Sequence, residues 1–203
     1  MKILAIGRNY LDHARELNNP VPKEPVVFLK PETALVKDNK PFFYPDFSKE
    51  IHHEVEVVLR ICKVGKYIDE KFAHRYYDQL TVGIDFTARD LQRDAKEKGL
   101  PWEIAKGFDG SAPVGRFIKV RDIRDVHRMM FGLMLNDKRV QEGNTIDMIF
   151  SFERIIAYIS RFFTLQMGDL IYTGTPVGVG PVAVGDHLVA DIEGETLLDF
   201  YIK

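Results

Sequence analysis

The run Ile51-His52-His53-Glu54-Val55-Glu56-Val57-Val58-Leu59 constrains the fold most, because it sets two carboxylates inside a stretch otherwise built for a β-strand. Strand side chains alternate between faces, so Glu54 and Glu56 point one way while Val55 and Val57 point into the core. Their Cα atoms lie roughly 6.6 Å apart at the ordinary strand rise. Two like charges at that spacing repel unless a cation sits between them. A third acid, Asp85, lies in another short strand-like run, Val82-Gly83-Ile84-Asp85-Phe86-Thr87. Three carboxylates make an oxygen-only donor set, which selects Mg2+, with Mn2+ or Ca2+ as substitutes, over zinc. Two other arrangements stay open on spacing alone. Glu54 and Glu56 could line the solvent face of an antiparallel strand, and His52 with both glutamates could form a zinc site.

The 203 residues are 45% hydrophobic and 29% charged, with a formal net charge of -2. That balance suits one globular domain spanning residues 1–203, and it argues against the electrostatic footprint of a nucleic-acid binder. Cations such as Arg93, Lys96 and Lys98 are scattered among acids and form no stripe. Cys62 is the only cysteine, so neither an intramolecular disulfide nor a cysteine metal site is available, and a cytoplasmic location is expected. The first residues hold too short an apolar run for a signal peptide, and no segment approaches the apolar length of a membrane span. A soluble protein without a membrane partner is expected.

Apolar runs at residues 3–6, 26–29, 170–173, 187–192 and 196–202 read as strands, and 131–140 as a hairpin turning at Asn136-Asp137. Helical spacing marks 11–17 and 70–78, while 88–98 is polar and irregular, a loop or a short helix ended by Gly99. A further helix starts at its N-cap Ser151 and runs to about Phe162, burying Ile155, Ile156, Ile159 and Phe162. Strands outnumber helices, which favours a β-rich α+β fold over a doubly wound sheet.

Other residues carry candidate chemistry. His13 and Glu16 share a helical face, where a carboxylate beside an imidazole makes a general base able to activate water, or the two are an incidental pair on a surface helix. Pro20, Pro22 and Pro25 stiffen the following loop into a hinged lid. Gly174-Thr175-Pro176-Val177-Gly178-Val179-Gly180-Pro181 matches neither a P-loop nor a dinucleotide fingerprint. Its amides and the Thr175 hydroxyl suit a small carboxylate, or the run is simply a tight turn. Arg89 and Gln92 suit a substrate carboxylate or carbonyl. Lys106, among apolar and aromatic neighbours, either snorkels or stabilises an anion.

Taken in order, Gly7-Arg8-Asn9-Tyr10 with His13 and Glu16, Phe28-Leu29-Lys30-Pro31, His52-His53-Glu54-Val55-Glu56 and Asp85-Phe86-Thr87-Ala88-Arg89-Asp90-Leu91-Gln92 resemble the fumarylacetoacetate hydrolase family in its short form. Lys98-Gly99-Leu100-Pro101-Trp102, Ala105-Lys106, Gln141-Glu142-Gly143, Met148-Ile149-Phe150-Ser151 and Gly174-Thr175-Pro176 extend the resemblance over nearly the whole chain. It implies a mixed β-sandwich roll with a short lid helix, assembled as a homodimer. It implies a divalent cation, Mg2+ first, on Glu54, Glu56 and Asp85. His13, Glu16 and Lys106 become the catalytic residues, and Arg8, Tyr10, Arg89, Gln92 and Thr175 meet the substrate, a small 2-oxo acid or dicarboxylate. The implied reaction is hydrolysis of an acylpyruvate such as acetylpyruvate or fumarylpyruvate through a pyruvate enolate. Oxaloacetate decarboxylation or tautomerisation, or isomerisation or decarboxylation of a 2-oxo-hept-3-ene-1,7-dioate, would use the same centre.

Overall fold

A computed structural model describes residues 1–11 and 21–203. His13, Glu16 and all but the first residue of the expected 11–17 helix lie outside the described residues. The strand-rich α+β architecture expected from the sequence is the one observed. A six-stranded sheet runs in the order Val26–Lys30, Ile3–Gly7, Leu170–Tyr172, Val55–Ile61, Tyr77–Ile84, Ile118–Lys119. Ile3–Gly7 and Leu170–Tyr172 are parallel, and every other neighbouring pair is antiparallel. Lys138–Asn144, Met130–Leu135, His187–Ile192 and Glu195–Tyr201 form a second, antiparallel sheet of four strands. Its hairpin turns at Asn136-Asp137, both left-handed (φ 49° and 63°), as a tight two-residue connection requires.

Strand alternation divides the six-stranded sheet between two cores. Leu4, Ile6, Val57 and Leu59 pack into a core that includes Phe131, Leu133 and Ala190 of the second sheet. Their neighbours Ile3, Ala5, Val58 and Leu170 fill a smaller core on the opposite face with Phe28 and Tyr172. Burial on both faces explains why these strands are unbroken apolar runs.

Three helices complete the frame among the described residues: α1 (Arg89–Lys98), α2 (Glu103–Lys106) and α3 (Phe152–Ser160). Gly99, left-handed at φ 63°, closes α1. Ser151 caps α3, its hydroxyl accepting from Arg154 N at 3.2 Å. Ile155, Ile156 and Ile159 are fully buried, but Phe162 lies past the helix end and is 55% exposed. The helix stops earlier than expected. Buried Ser160 donates to Ala157 O (2.9 Å) and accepts from Ile68 N (2.8 Å), tying the last turn to another segment.

Two further expectations are corrected. Residues 70–78 are not one helix: Glu70–Arg75 is a single 3-10 stretch, and Tyr77 already pairs with Ile61 in the sheet. The 51–59 run is not one strand either. Ile51–His53 joins a small sheet with Gly180–Pro181 and Thr87–Ala88, while Val55–Ile61 joins the large one. The chain changes sheets at Glu54.

Gly83, directly opposite Glu56 in the ladder, leaves room for Tyr172 and Val58 of the same sheet and for the Pro113 carbonyl. A Cβ there would meet Tyr172 Cε1 and Val58 Cγ2 at 2.8 Å and Pro113 O at 2.9 Å. Gly83→Ala is therefore expected to destabilise the fold by about 1–3 kcal/mol through overpacking. Denaturant unfolding measures this, and an unchanged midpoint would contradict the packing described.

Candidate metal centre and active site

The sheet change at Glu54 builds the site. Val55 pairs with Ile84 and Glu56 with Gly83, so the next residues outward, Glu54 and Asp85, sit side by side. Asp85 N donates to Glu54 O at 2.8 Å and fixes their separation. Oxygens of Glu54, Glu56 and Asp85 all lie within 4.8 Å of one another, and all three residues are buried. The solvent-face arrangement is thereby excluded. So is the zinc arrangement with His52, whose Nε2 faces Glu50 Oε1 at 3.2 Å instead of the cluster.

Three buried cations surround the acids. Lys106 Nζ is shared between Glu54 Oε2 (2.8 Å) and Asp85 Oδ2 (2.7 Å). Arg89 Nη2 donates to Glu54 Oε1 at 2.6 Å, and its Nη1 donates to Gln92 Oε1 at 2.7 Å. Lys30 Nζ lies 2.7 Å from Asp85 Oδ1, but it also donates to Ser111 O and Ser111 Oγ. The ion pair is close while its angle leaves Asp85 Oδ1 without an aligned donor. Burial dominates at Lys30 and holds its ammonium below the ordinary lysine range despite Asp85. Burial also opposes charge on Lys106, yet Asp85 and Glu54 more than offset it and the net shift is upward.

Glu56 differs from the other two acids. Its Oε2 accepts from Gly174 N at 2.6 Å, and no cation is salt-bridged to it among the described residues. Burial, then the charges of Asp85 and Glu54, push its carboxyl well above the usual range. A surplus buried carboxylate beside an unaligned Asp85 oxygen is what a hard dication would complete. Gly174 is obligatory here: its φ is +104°, and a Cβ would stand 2.6 Å from Asn9 Cβ.

Glu54, Glu56, Arg89, Gln92 and Lys106 help wall a cavity of about 30 Å3, room for an ion or a water. A larger groove of about 1100 Å3 lies along Arg116–Arg128 and Ile192–Glu195, away from the three acids.

A family model for the fumarylacetoacetate (FAA) hydrolase C-terminal domain matches residues 2–200. The chain belongs to the fumarylacetoacetate hydrolase family. A mouse relative, oxaloacetate tautomerase FAHD1, mitochondrial, is 43% identical over 99% of this chain and 91% of its own length. The mitochondrial oxaloacetate decarboxylase of Dictyostelium discoideum is 44% identical over 95% of this chain and 89% of its own. The crystal structure of fumarylpyruvate hydrolase from Pseudomonas aeruginosa, in complex with Mn2+ and pyruvate, superposes with a TM-score of 0.94 at 35% identity, covering 100% of this chain and 89% of that one.

Within this fumarylacetoacetate hydrolase fold, Arg8, Arg89, Gln92, Lys106 and Thr175 line the cavity with Glu54 and Glu56. Tyr10 does not. It packs in the core against Phe131, ring centroids 6.2 Å apart, and its buried hydroxyl has no hydrogen-bond partner among the described residues. Burial first, then Glu56 and Asp147, push that phenol well above its ordinary range.

Sequence reasoning gave three contributors no role. Lys30 sits on the same strand face as buried Phe28, and a lysine on a core face requires an acid partner. Gln141 accepts from Val55 N (3.0 Å), meets His53 Nδ1 at 2.8 Å and donates to Thr175 Oγ1 (2.9 Å), tying the sheet change to the Thr175 loop. Lys96, counted among scattered surface charges, stands at the cavity rim. It follows Arg89 and Gln92 at i+7 and i+4, the spacing of one helix face.

Among the described residues, no helix is long and apolar enough to cross a membrane.

Proposed function

We propose that this enzyme acts on oxaloacetate by enolising it at C3, with decarboxylation, through the pyruvate enolate, as a branch at the same centre. The observation that carries this reading is Lys106 Nζ shared between two of three converging buried carboxylates at the wall of the cavity. A divalent cation held by Glu54, Glu56 and Asp85, Mg2+ by its fit to oxygen donors, would supply Lewis acidity and a seat for a 2-oxo acid.

Arg89 and Gln92 hold the C1 carboxylate beside that seat. The Thr175 oxygen already accepts from Gln141, so its own proton is free to donate to substrate. Lys106 Nζ stabilises the negative charge that develops on the C2 oxygen. His13, oriented by Glu16, takes the proton from C3 and, as the imidazolium, returns it to the C2 oxygen to complete the enol. In decarboxylation the C3–C4 bond breaks instead, carbon dioxide leaves, and the enolate takes a proton at C3.

The names of the mouse and Dictyostelium relatives support oxaloacetate as substrate more directly than they support an acylpyruvate. Acylpyruvate hydrolysis is the second reading, favoured by the Pseudomonas neighbour. There, water activated by His13 would attack the distal ketone and expel the pyruvate enolate. A homodimer and a cytoplasmic location complete this proposal, from family resemblance and composition respectively, although the mouse and Dictyostelium relatives carry mitochondrial names.

A panel of oxaloacetate, acetylpyruvate and fumarylpyruvate, assayed with Mg2+ and with chelator, tests the reading. Loss of the oxaloacetate enol should accelerate with Mg2+ and fall to background with chelator. His13→Ala should slow tautomerisation and acylpyruvate hydrolysis by ~10²-fold or more while sparing decarboxylation, which needs no base to begin. Acylpyruvate turnover with oxaloacetate tautomerising only at its uncatalysed rate would contradict the main proposal.

A further inference from the structure

Among the described residues, four cations, Arg8, Arg89, Lys96 and Lys106, line the cavity with the carboxylates Glu54 and Glu56. Arg89 and Lys106 are engaged by Glu54 and Asp85. Arg8 and Lys96 are not. Among the described residues neither forms a salt bridge, and both instead face the same aromatic ring. Arg8 Cζ lies 5.9 Å and Lys96 Nζ 5.6 Å from the centroid of Trp102, whose ring meets Phe28 edge-on. Placing two cations on one ring beside a third, the Arg89 guanidinium, costs electrostatic energy. That cost is visible at Lys96: burial at the rim, then Arg8 and Arg89, hold its ammonium below the ordinary lysine range. Arg8 adds backbone strain, with φ 61° at a non-glycine residue. A dianion at the mouth of this cavity would relieve the repulsion.

The geometry of α1 says which end of the dianion goes where. Arg89, at its start, is bound to the metal-side Glu54, and Lys96 is seven residues on, about 10 Å further along the axis. Helical side chains lean toward the N-terminus, which carries the Lys96 ammonium back over the cavity mouth.

We propose that Lys96, steadied on Trp102 and assisted by Arg8, is the subsite for the second carboxylate of a dicarboxylic 2-oxo acid, and that it sets the preference for dicarboxylates over monocarboxylates. This deepens the oxaloacetate reading and rests on it for the identity of the substrate. The subsite is separate from the reacting atoms, so Lys96 determines specificity and takes no part in proton transfer.

Malate and lactate test it. Both chelate a divalent cation through a carboxylate and a 2-hydroxyl, neither enolises, and they differ by the second carboxylate alone. Each is titrated calorimetrically into Mn2+-loaded wild type, Lys96→Met and Lys96→Arg protein. Methionine keeps an unbranched stem against Trp102 and suits a helix. Wild type should prefer malate, Lys96→Met should lose ~10-fold in malate affinity, the loss of one charge-assisted hydrogen bond, with lactate affinity unmoved, and Lys96→Arg should restore malate. Equal wild-type affinities, no malate binding, or parallel weakening of both ligands in Lys96→Met would overturn the subsite. Because these titrations need no turnover, the two proposals separate. Malate discrimination in a protein that leaves oxaloacetate untouched would refute the function alone. Oxaloacetate turnover with no effect of Lys96→Met on discrimination would refute the subsite alone.

Discussion

Glu56→Gln is expected to weaken Mg2+ binding by ~100-fold or more and to abolish metal-dependent turnover with it, a loss of about 3 kcal/mol in binding. The amide keeps the shape of the side chain and can still accept from Gly174 N, so only the charge is removed. That charge matters because Glu56 is the one member of the cluster without a salt-bridged cation among the described residues. Burial and two acidic neighbours already raise its carboxyl pKa. With the pKa raised, the metal-free folded chain binds more protons than the unfolded one, so this group lowers stability as pH rises above the ordinary carboxylate value. A dication reverses the sign, since it must displace the proton and binds more tightly as pH rises. Two measurements follow. The gain in Tm on adding Mg2+ should grow between pH 5 and pH 8 in wild type and be largely lost in Glu56→Gln. At pH 8 the metal-free variant should melt no lower than metal-free wild type, because a buried repulsion has gone. Unaltered Mg2+ affinity in the variant would remove Glu56 from the centre.

Lys106→Met should lower kcat by ~10²–10³, the magnitude typical for removing one group that stabilises a developing oxyanion. Methionine retains the apolar stem where the Lys106 ammonium stands 5.2 Å from the Phe28 ring, which limits the packing loss. A purely structural lysine would betray itself by a fall in metal affinity and in stability together. The opposite is expected here. Removing an ammonium 2.8 Å from Glu54 and 2.7 Å from Asp85 takes away a competitor for the same oxygens, so Mg2+ should bind at least as tightly as in wild type. Lys106→Arg should not rescue the rate, since a planar guanidinium cannot place one point charge between two carboxylates and substrate. A variant with wild-type kcat, or with kcat and metal affinity lost in parallel, would contradict the role given to Lys106.

Much of this arrangement was legible in the sequence because strand parity is rigid. Glu54, Glu56 and Asp85 could be grouped from alternation and from the end of the second run, and the 131–140 hairpin from Asn136-Asp137. What escaped depends on contacts between distant segments. No local signal marks the change of sheets at Glu54, which Gln141 stabilises from 86 residues away. Lys30 looked like a strand end because its partner Asp85 lies far along the chain. Lys96 sits between Ala95 and Glu97 in a polar helix whose charges look solvated, and its position at the cavity follows only once Trp102 is placed. Phe162 had helical spacing, but Ser160 ends the helix through a bond to Ile68 that spacing does not encode. Tyr10 stood beside site residues in sequence, yet Arg8 is left-handed (φ 61°), which breaks the alternation, and Tyr10 lies in the core against Phe131.

The most direct test is anomalous diffraction from crystals of the protein grown with Mn2+. One strong peak should stand among the oxygens of Glu54, Glu56 and Asp85, at about 2.0–2.3 Å from each, and a chelator soak should remove both the peak and the catalysed loss of oxaloacetate enol. A peak elsewhere, or full turnover in crystals and solution stripped of metal, would show that these three carboxylates do not hold the catalytic cation.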